Sequence, residues 1–238
     1  MREPALDFPD YKSTALRHPK QPLVYLPDQV TETTGPQLGH LRPGTIENDL
    51  TRQHAEMPVG ERITVTGRLL DTDGRPIRDS LVEIWQANAA GRYRHRWDTW
   101  PAPIDPNFSG GGRTVTDRDG RYEFVTVKPG PYPWGNHHNA WRPAHIHFSL
   151  LGRSFEQRLV TQMYFPGDPL FPFDPIFNAV RDPGIRERMI ARFSMDTSQD
   201  NWALAYEFDI VLGGRDATPI DEAHRWPGRL RARPSAPT

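Results

Sequence analysis

Two histidines separated by one residue are the clearest candidates for chemistry in this sequence. His145-Ile146-His147 lies in a run of alternating polar and apolar residues, which predicts a β-strand. Side chains at positions i and i+2 of a strand point to the same face, so both imidazoles should project to one side and Ile146 to the other. Two imidazoles on one face supply half of a four-ligand metal site. The alternative is a pair of histidines on a solvated strand face.

The composition limits what the remaining ligands could be. The chain has no cysteine, which excludes disulfides, thiolate zinc sites, iron–sulfur clusters and a cysteine nucleophile. Imidazole nitrogen without thiolate leaves zinc, copper, iron, nickel and manganese open, and the other ligands must be oxygen or further histidine. The nearby candidates of these types are Asp98, Asp105, Asp117, Asp119, His137 and His138. Turn formation explains Asp117 and Asp119 better, and the two histidines could lie in an exposed loop.

Two tyrosines in irregular segments are further candidate ligands. Tyr132 lies in Pro129-Gly130-Pro131-Tyr132-Pro133-Trp134, whose prolines stiffen the backbone, and Tyr93 lies in Gly91-Arg92-Tyr93-Arg94-His95, just after a predicted strand. A hard trivalent ion would lower the pKa of a phenol from about 10 and bind the phenolate. Each tyrosine taken singly is more typical of a core or surface position than of a metal site.

Short strands separated by turn residues must position these side chains. Alternation with period two predicts strands at 62–70, 81–85, 114–116, 121–125, 144–150, 158–165 and 204–212. The turn sequence Asp117-Arg118-Asp119-Gly120 predicts a hairpin between its flanking strands. The pattern as a whole predicts an all-β fold, an antiparallel β-sandwich with long functional loops at 86–113 and 128–143.

Helix is expected in only one or two short segments. The best candidate begins at Asp182-Pro183, with proline in the first turn, and runs to about Phe193. Frequent prolines exclude a long helix in residues 1–58 and predict an extended N-terminal arm that packs on the body and on a partner; a disordered tail is the alternative. Residues 59–238 form the predicted catalytic β-sandwich domain, with an irregular C-terminal tail after Gly213.

Charge and hydropathy restrict the class of partner. The formal net charge of −1 creates no overall field that favours nucleic acid or a membrane surface. No apolar run approaches the roughly 18 residues that a membrane span requires. The first residues, MREPALDFPDYKS, lack a basic segment followed by an apolar stretch, so no secretory signal is expected. These features predict a soluble cytoplasmic protein with no nucleic-acid or membrane partner.

Taken together, the motifs resemble the intradiol ring-cleavage dioxygenases, and in particular the iron-binding β subunits of the members that cleave protocatechuate. The resemblance covers most of the chain. Besides the two tyrosine motifs, it is carried by Asp10-Tyr11-Lys12, Glu32-Thr33-Thr34-Gly35-Pro36, Leu81-Val82-Glu83-Ile84-Trp85-Gln86-Ala87-Asn88, Asp105-Pro106-Asn107-Phe108, Trp141-Arg142-Pro143-Ala144-His145-Ile146-His147-Phe148, Gln162, Gly167-Asp168-Pro169-Leu170 and Phe208-Asp209-Ile210-Val211-Leu212.

The resemblance implies a non-haem Fe(III) site. By motif, its ligands would be Tyr93, Tyr132, His145 and His147. Tyr132 would also be catalytic, because it would leave the metal as the substrate binds and take up a substrate proton.

The same resemblance implies roles for residues around the metal. Arg142 would stabilise negative charge that develops on the substrate ring, and Gln162 would position Arg142 and the substrate. The substrate-binding positions that match are one residue of the arm and three pocket-wall residues: Tyr11, Trp85, Trp134 and Ile176. The three pocket-wall residues could alternatively be plain core.

The implied reaction is the cleavage of protocatechuate (3,4-dihydroxybenzoate) by O2 between its two hydroxylated carbons. The product would be 3-carboxy-cis,cis-muconate, an intermediate in aromatic degradation through the β-ketoadipate pathway. Relatives that cleave catechol or hydroxyquinol carry a helical N-terminal region, whereas this chain has a proline-rich arm, which favours protocatechuate. The expected partner is a related α subunit within a larger αβ oligomer.

Two other functions are considered. A non-catalytic β-sandwich, like the metal-free α subunits, predicts the loss of one or more ligands, but all four are present. A hydrolase or zinc protein could use His145 and His147. The sequence offers it neither an acidic third ligand at suitable spacing nor an evident Ser-His-Asp arrangement.

Overall fold

The computed structural model describes residues 9, 18–21, 44, 47–135, 138–151, 158–213 and 216–219. Most of the predicted arm, including Tyr11, lies outside the described residues, as do His137 and the chain after residue 219. The strands are β1 (Arg62–Leu70), β2 (Leu81–Trp85), β3 (Gly111–Val115), β4 (Arg121–Val127), β5 (Tyr132–Pro133), β6 (Trp141–Arg142), β7 (His145–Leu151), β8 (Arg158–Tyr164), β9 (Arg192–Gln199), β10 (Ala203–Glu207) and β11 (Ile210–Val211). The helical elements are α1 (Pro175–Ala179), α2 (Pro183–Arg186) and the 3₁₀ turns Phe171–Phe173 and Glu187–Met189.

Two β-sheets form the body of the protein. The larger sheet has the order β11-β1-β10-β9, with β4 also paired to β1, and the smaller sheet has the order β3-β2-β7-β8. Strands β5 and β6 form a separate two-stranded ribbon. All pairings are antiparallel except those of β1 with β10 and β11, which are parallel. The predicted all-β sandwich with few short helices is confirmed.

The hydrophobic core lies between the two sheets. Phe148 of β7 is fully buried, and its ring contacts Tyr122 and Phe124 of the opposite sheet at centroid distances of 5.9 and 5.8 Å. The ring of Phe208, between β10 and β11, lies 5.4 Å from Phe148 on the same side. Edge and tilted contacts of this kind add to the free energy gained from burying the rings. The core therefore fixes how β7 sits in the smaller sheet.

The predicted hairpin between residues 114–116 and 121–125 is wrong. A turn does form, since the Asp117 N–H donates to the Arg121 carbonyl at 2.9 Å. However, β3 pairs with β2 and β4 pairs with β1, so the turn carries the chain from one sheet to the other. Turn residues specify the reversal, but the pairing depends on the strands that each side meets.

The predicted helix begins where expected and ends early. The Asp182 side chain accepts a hydrogen bond from the Gly184 N–H at 2.9 Å, with Pro183 in the first turn, as the sequence predicts. The helical segment ends at Met189, and Phe193 lies in β9, so the predicted end near Phe193 is wrong. Here the Ala191 N–H donates to the Tyr164 carbonyl at 2.8 Å, and β9 pairs with β10, which draws the chain into an extended form.

A further difference concerns the last predicted strand. The predicted strand 204–212 is divided into β10 and β11 at residues 208–209.

In the part of the chain that the structure describes, no helix has the length and apolar character that a membrane span requires.

Replacing Phe148 with alanine should destabilise the protein strongly. The substitution removes a fully buried ring between the two sheets and leaves a cavity. We expect a loss of about 3–5 kcal/mol in the free energy of unfolding, measured by urea denaturation. The matched control is Phe173→Ala, because Phe173 is 62% exposed. Equal losses in the two variants would contradict this account of the core.

Candidate metal centre

The candidate centre lies on the face of the smaller sheet that points away from the core. In β7, Ile146 and Phe148 are fully buried in the core, so His145 and His147 project to the opposite side. The two imidazole centroids are 4.8 Å apart. His147 is paired across the sheet with Trp85 of β2, and its ring stacks on the indole at 4.7 Å with an interplanar angle of 2°.

Hydrogen bonding orients the His145 imidazole. Its Nδ1 lies 2.7 Å from the Pro143 carbonyl oxygen, which can only accept, so Nδ1 carries the proton and donates. Nε2 is then the atom with a free lone pair, and it lies 3.3 Å from the Tyr132 hydroxyl. Burial lowers the pKa of His145 well below its ordinary value, and the nearby Arg142 charge lowers it further. A neutral imidazole held in this way is typical of metal ligands.

The loop that carries Tyr93 is held beside the segment of Tyr132 by a close backbone approach. Gly91 adopts a positive φ of 76°, and a Cβ at this position would lie 2.1 Å from the Pro131 carbonyl oxygen. The Asp98 carboxylate accepts a hydrogen bond from the Tyr93 N–H at 2.8 Å. As a result the two phenol rings lie 5.4 Å apart, edge to face.

The electrostatic environment disfavours charge on both phenols in the absence of a cation. Burial raises the pKa of Tyr93 well above its ordinary value, and the neighbouring Tyr132 raises it further. Burial also raises the pKa of Tyr132, although the Arg142 charge opposes the rise. The Tyr93 hydroxyl is buried and makes no hydrogen bond with any described residue. A buried hydroxyl without a partner is costly and indicates a role that the protein alone does not fulfil.

The donors that converge here are two phenol oxygens and two imidazole nitrogens. Tyr132 links the two halves of the cluster, since its ring lies 5.4 Å from that of Tyr93 and 5.5 Å from that of His145. Within the described residues, no group of three or more histidines, cysteines or carboxylates could hold a metal. A mixed site with two phenolates suits a hard, highly charged ion, so these residues fit a trivalent metal.

A buried polar network lies beside the phenols, around Arg142. The guanidinium is 3% exposed, and its Nε donates to Asp174 Oδ2 at 3.2 Å. Nη2 donates to Gln162 Oε1 and, at 3.1 Å, to the Tyr164 hydroxyl. That hydroxyl lies 2.8 Å from Gln162 Oε1 and 3.1 Å from Asp174 Oδ2. Burial lowers the pKa of Arg142, but the Asp174 carboxylate and nearby phenols offset this effect, so its pKa is raised well above its ordinary value.

The remaining predicted substrate-binding residues lie at different distances from this cluster. Trp85 stacks on His147, and the Trp134 ring centroid lies 5.4 Å from Cζ of Arg142. Ile176 is in the first turn of α1, and its N–H donates a hydrogen bond to the Asp174 carboxylate. Tyr11 lies outside the described residues.

The other candidate ligands have different roles or positions. Asp98 braces the Tyr93 loop, and Asp105 accepts hydrogen bonds from the Val59 and Asn107 N–H groups at 2.7 and 2.8 Å. Asp117 caps its turn by accepting hydrogen bonds from Asp119 and Arg121 at 2.8 Å, as expected. His138 is exposed.

Sequence reasoning missed Tyr164 and Asp174. Tyr164 follows Gln162 by two residues in β8, so the same alternation that pairs the histidines places both side chains on one face. Asp174 precedes Pro175, which is a helix-start signal like the Asp182-Pro183 pair. Neither signal reveals that these side chains meet Arg142.

Comparison with known proteins agrees with this architecture. A family model described as "Dioxygenase" matches residues 33–214, and one described as "Protocatechuate 3,4-dioxygenase beta subunit N terminal" matches residues 4–29. The protocatechuate 3,4-dioxygenase beta chain of Burkholderia cepacia is 56% identical over 92% of this chain and 93% of its own length. The alpha chain of the Pseudomonas putida enzyme is 30% identical over 83% of this chain and 97% of its own length.

A solved structure shares the fold. The 3-chlorocatechol 1,2-dioxygenase of Rhodococcus opacus superposes with a TM-score of 0.54 at 24% identity, covering 74% of this chain and 70% of the other. The fold of this relative agrees with the β-sandwich described above, in which two phenols and two imidazoles cluster. The family model and the sequence relatives define the class of protein. The chain belongs to the intradiol ring-cleavage dioxygenase family, which is known to use iron. Within that family it is similar to the protocatechuate 3,4-dioxygenase beta chains.

Replacing Gly91 with alanine should disrupt the centre without unfolding the sandwich. The new Cβ would clash with the Pro131 carbonyl and force the two tyrosine segments apart. We expect the affinity for iron to fall by at least about tenfold, measured as iron retained after dialysis against a chelator.

The matched control is Gly74→Ala. Gly74 also has a positive φ, of 77°, but a Cβ there meets nothing within 4 Å. This variant should lose only about 1–2 kcal/mol of stability from backbone strain and keep its iron. If both variants retain iron equally, the close approach at Gly91 does not hold the site.

Proposed function

We propose that this chain is the iron-binding subunit of an enzyme that cleaves protocatechuate with O2. Its Fe(III) ligands would be Tyr93, Tyr132, His145 and His147. The observation that carries the proposal is the convergence of two half-buried phenols and two buried or stacked imidazoles beside a buried arginine. The similarity to the beta chains adds the substrate class.

The overall reaction breaks the ring carbon–carbon bond between the two hydroxylated carbons. Both atoms of one O2 enter the product, so one protocatechuate and one O2 give one 3-carboxy-cis,cis-muconate and two protons. When bound, Fe(III) supplies Lewis-acid activation of the two ring oxygens of the catechol. The protein must then receive the substrate protons, stabilise charge on the ring and exclude water.

Tyr132 is the residue best suited to receive a proton. Its hydroxyl lies 3.3 Å from His145 Nε2, at the centre of the ligand cluster. Burial raises the pKa of this phenol, so its phenolate would readily take up a proton from the substrate. The oxygen atom that receives the proton is the Tyr132 phenol oxygen.

Arg142 and its neighbours stabilise and orient charge on the ring. The guanidinium is fixed by Gln162 and Tyr164, so it needs no reorganisation when negative charge develops nearby. Trp85 covers one face of the His147 ring and Trp134 lies against Arg142, and both indoles help to keep water away.

The proposed partner is a related α subunit, in an αβ oligomer. The substrate carboxylate would be met by Tyr11 of the arm and by residues of the partner. The arm, residues 1–58, is proposed to pack on the body and on the partner. Leu50, near the end of the arm, supports the packing on the body, because it is fully buried in the core and its N–H donates to the Val125 carbonyl at 2.8 Å.

Oxygen uptake tests the proposed reaction directly. The chain co-expressed with its candidate α chain should consume one O2 per protocatechuate and act on catechol much more slowly. The purified complex should be red-brown, because tyrosinate ligands give a charge-transfer absorption with Fe(III). An iron-replete, colourless complex that consumes no O2 with protocatechuate would refute the proposal.

Ligand substitutions test the assignment of the metal site. Tyr93→Phe and His147→Ala each remove one proposed ligand, so iron content should fall and turnover should drop by at least about 100-fold. His138→Ala is the control, since His138 is an exposed histidine close in sequence. Full iron content and activity in both ligand variants would show that the metal is held elsewhere.

A further inference from the structure

Asp174 is a fully buried carboxylate whose two oxygens have different partners. Oδ1 accepts a hydrogen bond from the Ile176 N–H at 2.9 Å and caps the start of α1. Oδ2 accepts from Arg142 Nε at 3.2 Å and lies 3.1 Å from the Tyr164 hydroxyl. One side chain therefore joins the arginine of the site to the helix that carries Ile176.

The surroundings of Arg142 leave it dependent on this carboxylate. Asp174 is 0% exposed and Arg142 is 3% exposed, so neither charge can be solvated by water. Among the described residues, the other hydrogen-bond partners of the guanidinium are Gln162 and Tyr164, and both are neutral. A buried ion that loses its only charged partner is strongly destabilised, and its side chain turns toward other acceptors.

The Tyr164 hydroxyl connects Arg142 to two of the groups that hold it, Gln162 and Asp174. It accepts from Arg142 Nη2 at 3.1 Å and can donate to either Gln162 or Asp174. Nε and Nη2 of Arg142 are therefore both held by this buried network. The guanidinium plane is fixed by groups on β8 and at the start of α1, which are separate elements of the chain.

We propose that Asp174 is a positioning residue that locks Arg142 and the Ile176 segment into one rigid unit at the edge of the metal centre. It acts through Arg142 and does not contact the reacting atoms. Loss of the carboxylate charge frees the guanidinium to rotate, and the α1 segment loses its fixed relation to the arginine. This inference rests on the ring-cleavage function proposed above.

Asp174→Asn is the main test, in the complex with the α chain. Asparagine keeps the Oδ1 cap of α1 but replaces the acceptor and charge that hold Arg142. We expect kcat for protocatechuate to fall about 10–100-fold, while iron content and the position of the charge-transfer band stay unchanged. Unchanged kcat would overturn the proposal, and so would loss of iron in parallel with activity.

Asp182→Asn is the matched control. Asp182 also caps a short helix and precedes a proline, and its side chain accepts from Gly184 N–H and Ile185 N–H, not from Arg142. The control should keep the kcat of the natural sequence. A comparable fall in kcat in this variant would assign the effect to helix capping and overturn the proposal.

A double-mutant cycle with Arg142→Met separates positioning from general damage. If Asp174 acts through Arg142, adding Asp174→Asn to Arg142→Met should lower kcat by less than about threefold. An undiminished 10–100-fold loss in that background would overturn the proposal.

The same double-mutant cycle can be measured by thermal stability, which does not require an active enzyme. Each single variant should lower the melting temperature by more than about 5 °C, because it leaves one buried charge unpaired, and the double variant should regain most of the loss. Additive losses would overturn the proposal whether or not the complex cleaves protocatechuate. Conversely, an inactive complex with non-additive losses would refute only the proposed function. If Asp174→Asn yields no folded protein, Asp174→Ser replaces it in both cycles with the same expectations, because serine also removes the carboxylate charge and keeps a side-chain oxygen at the helix start.

Discussion

The structure depends on one constraint: phenol and imidazole groups are buried where the protein offers them too few hydrogen-bond partners. The Tyr93 hydroxyl is buried with no hydrogen-bond partner among the described residues, and burial raises the pKa of both tyrosines while it lowers that of His145. Such an arrangement is costly for the protein alone. A bound cation would offset this cost, since it would stabilise phenolates and accept the imidazole lone pairs.

The sandwich supports this cluster by using the two faces of one strand for different purposes. Ile146 and Phe148 anchor β7 in the core, and their contacts fix the register in which His145 and His147 face outward. A slip of one residue would exchange the two sets, exposing the core residues and burying the imidazoles in it. The geometry of the proposed metal centre therefore depends on apolar packing on the other side of the sheet.

The charge of Arg142 lowers the pKa of two of the proposed ligands, Tyr132 and His145. It opposes the rise in the pKa of Tyr132 that burial causes, and it helps to keep His145 neutral. Both effects favour the forms in which these side chains would bind a metal. The same charge must itself be held in a buried position, and Asp174 provides the compensating carboxylate. The electrostatic balance of the centre thus extends to a helix start that lies outside the ring of proposed ligands.

The amino-acid sequence by itself determined the features that depend on local periodicity and on motif. Period-two alternation placed β1 and β2 at their observed bounds and put both histidines of β7 on one face. The motif resemblance named the four proposed ligands, which the fold brings into one cluster, and the family assignment agrees with the comparisons.

Only the tertiary structure decided which strands pair and which charges meet. Strands β3 and β4 flank a well-formed turn yet join different sheets, and the predicted helix end became part of β9 because β10 was there to pair with it. Arg142 and Asp174 are 32 residues apart in the chain, so no local pattern could reveal their ion pair. Local propensity acts over a few residues, whereas strand pairing and the neutralisation of buried charge are set by whichever distant segments the folded core brings into contact.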